Sequence, residues 1–210
     1  MGRGSSNAGG SWTGGGGGMN PSDVADEKDM ISSRNPNNMA EVDDCLTVSK
    51  HFTDMYGDGG MLEGSFQIST LKGVSKATVL GYYDGNGIGM NDVFLKSGTM
   101  NKVYDKAVAD KYHPSRGNKS GIEAVAAHEY GHALTDMVGR KMGSNNIDDS
   151  ANRIIKEAKV SPNMAGKISK YAQSSPAEAI AEACSDVYCN GKNANKASIA
   201  IMKVVDKYLK

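Results

Sequence analysis

Hydrophobic and polar positions divide the chain into a polar opening and a patterned remainder. Up to about residue 36 no apolar spacing is sustained. Met39, Val42, Leu46, His51, Phe52 and Met55 then recur at roughly helical intervals, and "GDGG" at 57 to 60 ends the run. The period changes next. "SFQIST" at 65 to 70 alternates, "ATVLGYY" at 77 to 83 is rich in β-branched and aromatic residues, and "DGNG" at 84 to 87 is a hairpin turn leading into "IGMNDVFLK". These stretches predict a small antiparallel sheet. Helical spacing returns from Met100 through Val103, Tyr104, Ala107 and Val108 to Tyr112, and Pro114 closes it. Ser120 and Glu123 spell a capping box before a further helix, with Gly139 at the position of a left-handed C-terminal cap. More helices are expected at about 147 to 158, in "MAGKISKYA", from Pro176 to about Asn190 and from about Lys196 to the end. Helix, strands and then mostly helices make an α+β domain rather than an alternating one.

Composition sharpens this division. Residues 1 to 20 hold nine of the 26 glycines, and the stretch to Pro36 stays polar, so residues 1 to 36 read as a flexible segment and 37 to 210 as the domain. Lys and Arg total 24, as do Asp and Glu, so bulk charge gives no reason to expect nucleic acid or an anionic membrane as partner. No signal peptide or membrane-spanning run is visible. Three cysteines, Cys45, Cys184 and Cys189, make no disulfide framework and read as reduced thiols.

The chemistry concentrates in "AAHEYGHAL", residues 126 to 134. On a helix His128 and His132 lie one turn apart on the same face, so two imidazoles can reach one metal ion. Glu129 is displaced about 100° around the helix, beside the ion rather than on it, where it can take a proton from a water. Two histidines leave tetrahedral zinc short of a protein ligand. Downstream, Glu178, Glu182 and Asp186 form an acidic stripe at four-residue spacing. Ser175, Pro176 and Glu178 also spell a helix start, which gives Glu178 a second reading as a cap. His51 and His113 have no such partnership and are read as packing or solvent-facing residues, and Cys184 as packing.

"HEYGH" followed by "EAIAE" resembles the glutamate zincins, in particular the catalytic domain of anthrax lethal factor and zincin-like domains encoded by phages. That resemblance covers about residues 76 to 190. It implies a zincin-like metallopeptidase fold, Zn2+ held by His128, His132 and Glu178, Glu182 as a companion behind the ligands, and Tyr171 facing the metal. "EACSD" also resembles the E-x-x-x-D segment of thermolysin-like enzymes, which would move the third ligand to Glu182; only the Glu178 register accounts for Tyr171. The implied activity is a zinc-dependent endopeptidase with Glu129 as general base and Tyr171 as donor to the oxyanion. Its substrate would be a peptide or protein, its own precursor included, added as a strand along the edge of the sheet, for which "IGMNDVFLK" is the candidate. The expected location is cytoplasmic or virion-associated. The competing function is a non-catalytic domain stabilised by zinc, for example within a phage virion protein.

Overall fold

Ser120 begins the helix around which the domain is built. Its hydroxyl accepts from the Glu123 N–H at 3.0 Å, and Glu123 Oε2 accepts from the Ser120 N–H at 2.9 Å. The capping box read from the sequence is therefore formed in both directions. The computed structural model describes residues 3–7, 28–30, 39–57, 66–69, 79–85, 87–91, 94–95 and 98–210. Its strands are β1 (Arg3–Asn7), β2 (Lys28–Met30), β3 (Phe66–Ser69), β4 (Val79–Tyr83) and β5 (Ile88–Asn91). Its α-helices are α1 (Met39–Tyr56), α2 (Thr99–Ala109), α3 (Gly121–Lys141), α4 (Ile147–Ala158), α5 (Pro162–Ala165), α6 (Pro176–Asn190) and α7 (Lys196–Leu209). The class is α+β and mostly helical.

Helix α3 is buried without a break from Gly121 to Thr135. It packs against α1, α2, α4, α6, α7 and strands β4 and β5, so its surface of alanine, glycine, valine and leucine meets protein on every side. Gly139 does not end it. The helix runs to Lys141 and closes in a Schellman turn, with Gly143 at φ 72°, its N–H bonded to the Arg140 carbonyl and the Ser144 N–H to that of Gly139. Gly139 answers a packing demand instead: a Cβ there would stand 2.3 Å from Ser150 Oγ on α4.

The sheet runs in the order β1-β4-β5-β3-β2. Strands β4 and β5 form the expected antiparallel hairpin through Asp84 to Gly87, pairing Gly81 with Met90 and Tyr83 with Ile88. Strand β3 lies parallel to β5, so the sheet is mixed rather than wholly antiparallel. This corrects the proposed docking strand, because β5 is an interior strand with a neighbour on both sides. Of residues 1 to 36 only β1 and β2 are described. Both are strand rather than linker, β1 against β4 and β2 against β3, while the rest of the expected flexible segment and its boundary at 36 lie outside the described residues.

Around "MAGKISKYA" the expected single helix is replaced by α5, a bend and a 3-10 turn at Tyr171–Gln173. The Lys170 and Tyr171 N–H groups donate to the Lys111 and Tyr112 carbonyls at 2.8 and 3.3 Å, which removes them from any helical ladder. That pairing brings the chain after α2 alongside the turn carrying Tyr171. Among the described residues no helix is long and apolar enough to cross a membrane.

Candidate metal centre

Four segments converge. Helix α3 supplies His128, Glu129 and His132; α6 supplies Glu178 and Glu182; the 3-10 turn supplies Tyr171; and the chain beyond α2 supplies His113. Helix α6 begins as the sequence suggests, with Pro176 in its first turn and Ser175 Oγ accepting from the Glu178 N–H at 3.2 Å. It is tied to α3 where Ser185 Oγ donates to the Ala124 carbonyl and Tyr188 OH to Glu123, each at 2.8 Å.

Only the backbone of Glu178 serves the cap. Its Oε2 stands 3.2 Å from His128 Nε2 and 3.4 Å from His132 Nε2. None of these three buried atoms makes a hydrogen bond of good geometry. One ligand atom each from His128, Glu129 and His132 lies within 4.8 Å of the others, a buried group that could hold a metal ion. Glu129 is fully buried, with its side chain against Gly81 of β4, where a Cβ would lie 3.1 Å from Glu129 Cγ. The absence of a side chain at Gly81 lets the strand pass this close to the helix. Glu178 is the most exposed of these side chains, at 14% against 1% for Glu182 and His132.

Behind His128 lies Glu182, whose Oε1 is 2.7 Å from the other ring nitrogen, Nδ1. The electrostatics follow from this crowding. Burial opposes ionisation of Glu178, but His132 and His128 prevail and hold its carboxyl far below the usual range. Burial likewise opposes ionisation of Glu182, and His113 and His128 bring it down to about 2. For His128 burial favours the neutral ring; Glu178 and Glu182 outweigh it and raise its pKa well above 6.5. Tyr171 is buried with its ring stacked on that of His128, centroids 5.7 Å apart at 12°. Burial first and the Glu178 carboxylate next push its phenol well above 10, so it stays an O–H donor.

The sequence-derived residues His128, Glu129, His132, Tyr171, Glu178 and Glu182 thus meet in one place. Asp186, the third member of the acidic stripe, does not join them: its Oδ2 accepts from the Asn195 N–H at 2.8 Å and from Ser198 Oγ at 2.6 Å, fastening the start of α7. Cys184 is buried in the core, as its reading as a packing residue requires. His113 is the correction. Far from being mere packing or solvent-facing, it is buried with Nδ1 2.9 Å from Glu182 Oε1. Its partner is 69 residues away, and no local spacing signals the pair. No protein-family model, curated protein or solved structure matches this chain.

Proposed function

We propose that the chain is a zinc-dependent endopeptidase of glutamate-zincin type, with His128, His132 and Glu178 as ligands. The observation that carries this reading is the meeting of two Nε2 atoms and one Oε2 atom at 3.2 and 3.4 Å. Ligand atoms at zinc's usual distance of about 2.1 Å stand about 3.4 Å apart at the corners of a tetrahedron, so the spacing fits that ion. Charge supports it as well. Glu129, Glu178 and Glu182 bring three carboxylates to one site, two of them buried and Glu178 only 14% exposed, and a divalent cation would offset most of their charge.

Bound zinc would supply a Lewis acid that polarises the scissile carbonyl and eases deprotonation of water. The chain's own groups do the rest. Glu129 accepts the proton of the attacking water and passes it to the leaving amine. Tyr171, kept protonated by its surroundings, donates to the oxyanion as it develops, an interaction worth about 3 kcal/mol when the donor is well placed. Glu182 accepts from His128 Nδ1 and so keeps the Nε2 lone pair aimed at the site. The substrate is a peptide or protein, with the chain's own precursor as one candidate, and the setting we propose is cytoplasmic or virion-associated.

A domain that keeps zinc only for stability would have no use for a carboxylate in the position of Glu129. The test is therefore to incubate the zinc-loaded protein and its Glu129→Gln variant with a diverse peptide library and identify cleaved bonds by mass spectrometry. We expect products from the wild type alone, with zinc content equal in both. Identical product lists, or none from either protein with zinc bound, would overturn the peptidase reading in favour of a zinc-stabilised structural domain.

A further inference from the structure

His113 is held to the metal centre by both backbone and ring. Lys111 takes a left-handed conformation, φ 61°, which turns the chain out of α2, and the Lys111 and Tyr112 carbonyls accept from Lys170 and Tyr171. The His113 ring stacks on Tyr104, centroids 5.2 Å apart at 9°, and meets Tyr171 edge-on at 5.8 Å. Its Nδ1 is 2.9 Å from Glu182 Oε1, the same oxygen that lies 2.7 Å from His128 Nδ1. A carboxylate is an acceptor only, so both Nδ1 atoms carry hydrogen and both donate to that oxygen. Among the described residues His113 Nε2 makes no hydrogen bond.

Packing does not explain a histidine here. Phenylalanine would stack on Tyr104 as well and would bury no polar nitrogen, whereas the imidazole carries a desolvation cost offset by the bond to Glu182. A carboxylate held by one donor can still turn about its last bond; two donors on one oxygen fix its direction. Glu182 so fixed holds the His128 ring in place, and the ring then presents Nε2 to His132 and Glu178.

We propose that His113 is a positioning residue of the metal centre, acting through Glu182 to set the tautomer and orientation of His128. The inference rests on the reading of His128, His132 and Glu178 as a metal site, and the experiment separates the two. Cobalt(II) is titrated into the full chain, into His132→Ala, and into two variants of opposite design. His113→Phe keeps the stacking and removes the donor. His113→Asn keeps a donor nitrogen near the place of Nδ1 and removes the stacking.

Losing a group that orients a ligand weakens metal binding by about 10- to 100-fold, and we expect that loss in His113→Phe, with an altered cobalt absorption spectrum. His113→Asn should bind close to wild-type strength with the wild-type spectrum. Thermal unfolding of the metal-free proteins shows whether each variant is folded. Combining His113→Phe with Glu182→Gln should add little to the loss caused by Glu182→Gln alone, since the two act along one path. If the wild type binds cobalt, His132→Ala does not and His113→Phe binds as tightly as wild type, the role of His113 is overturned while the metal site stands. Tight binding by His113→Phe with loss in His113→Asn would make it a packing residue, and equal loss in both would overturn a role carried by the Nδ1 donor. A wild type that binds no cobalt, or a His132→Ala protein that binds it equally, would overturn both readings.

Discussion

Gly131 meets Ala181 with no room between them: a Cβ at 131 would stand 2.6 Å from Ala181 Cα and 2.9 Å from Cys184 Cβ. Gly131 lies between His128 and His132, and Ala181 between Glu178 and Glu182. This tight contact between α3 and α6 therefore falls within the same helical turns that carry the candidate site's histidines and glutamates. A bulkier residue at this crossing would change the distance between the histidines and the glutamates.

Gly131→Ala is expected to damage stability and metal binding together. Alanine favours a helix over glycine by about 1 kcal/mol. Overpacking costs about 1 to 3 kcal/mol, and here the obstructing atom is backbone, which cannot swing aside as a long side chain can. The clash wins. We expect a melting temperature lower by a few degrees and cobalt affinity lower by about tenfold or more, because α6 carries Glu178 and Glu182 with it when it moves. A higher melting temperature with unchanged affinity would show that the helices repack without moving the carboxylates.

Glu178 and Glu182 should separate cleanly by substitution. Glu178 reaches Nε2 of both histidines, the nitrogens that face one another, whereas Glu182 reaches Nδ1 of His128 from behind. Glu178→Ala should abolish stoichiometric zinc, and Glu182→Ala should weaken zinc by about 10- to 100-fold while leaving it bound at high concentration. Elemental analysis after dialysis against a graded chelator series reads both. The reverse pattern would move the third ligand to Glu182, the register resembling thermolysin-like enzymes.

What was legible in the sequence was local. The pair His128 and His132, the box Ser120 to Glu123 and the start of α6 at Ser175 and Pro176 are all set by residues within four positions of one another, where helical geometry alone fixes who meets whom. Helix α6 accordingly ends at Asn190, as expected. The misreadings were non-local. The parallel placement of β3 beside β5 pairs strands that have β4 between them in the chain, and no local spacing specifies such a partner. Gly139 has the composition of a cap, yet its cause is Ser150 on another helix. His113 reads as an isolated histidine until the fold sets it against Glu182.

Metal uptake at neutral pH should release a proton, and His128 is its source. A ligating imidazole must offer a lone pair at Nε2. In the metal-free protein burial disfavours the charged ring, yet Glu178 and Glu182, with Glu129, outweigh it and raise its pKa well above 6.5, which favours the ring carrying a proton on both nitrogens. Because that pKa is raised on folding, the charged ring stabilises the metal-free fold fully below about pH 6.5, and the contribution is lost as pH rises through the folded value. Metal affinity moves the other way and climbs over the same window. Glu178 and Glu182 have lowered pKa values and are already ionised at pH 7; they add no proton there, and their stabilisation is lost only in acid, as pH falls below about 4.5 toward the folded values. Calorimetric titration with zinc in two buffers of different ionisation enthalpy should therefore report release of about one proton per ion at pH 7, falling as the pH is raised. Glu182→Gln removes one of the carboxylates that raise His128, so its release at pH 7 should be smaller. A heat independent of the buffer would mean that His128 is neutral before the metal arrives and that the carboxylates around it do not outweigh its burial.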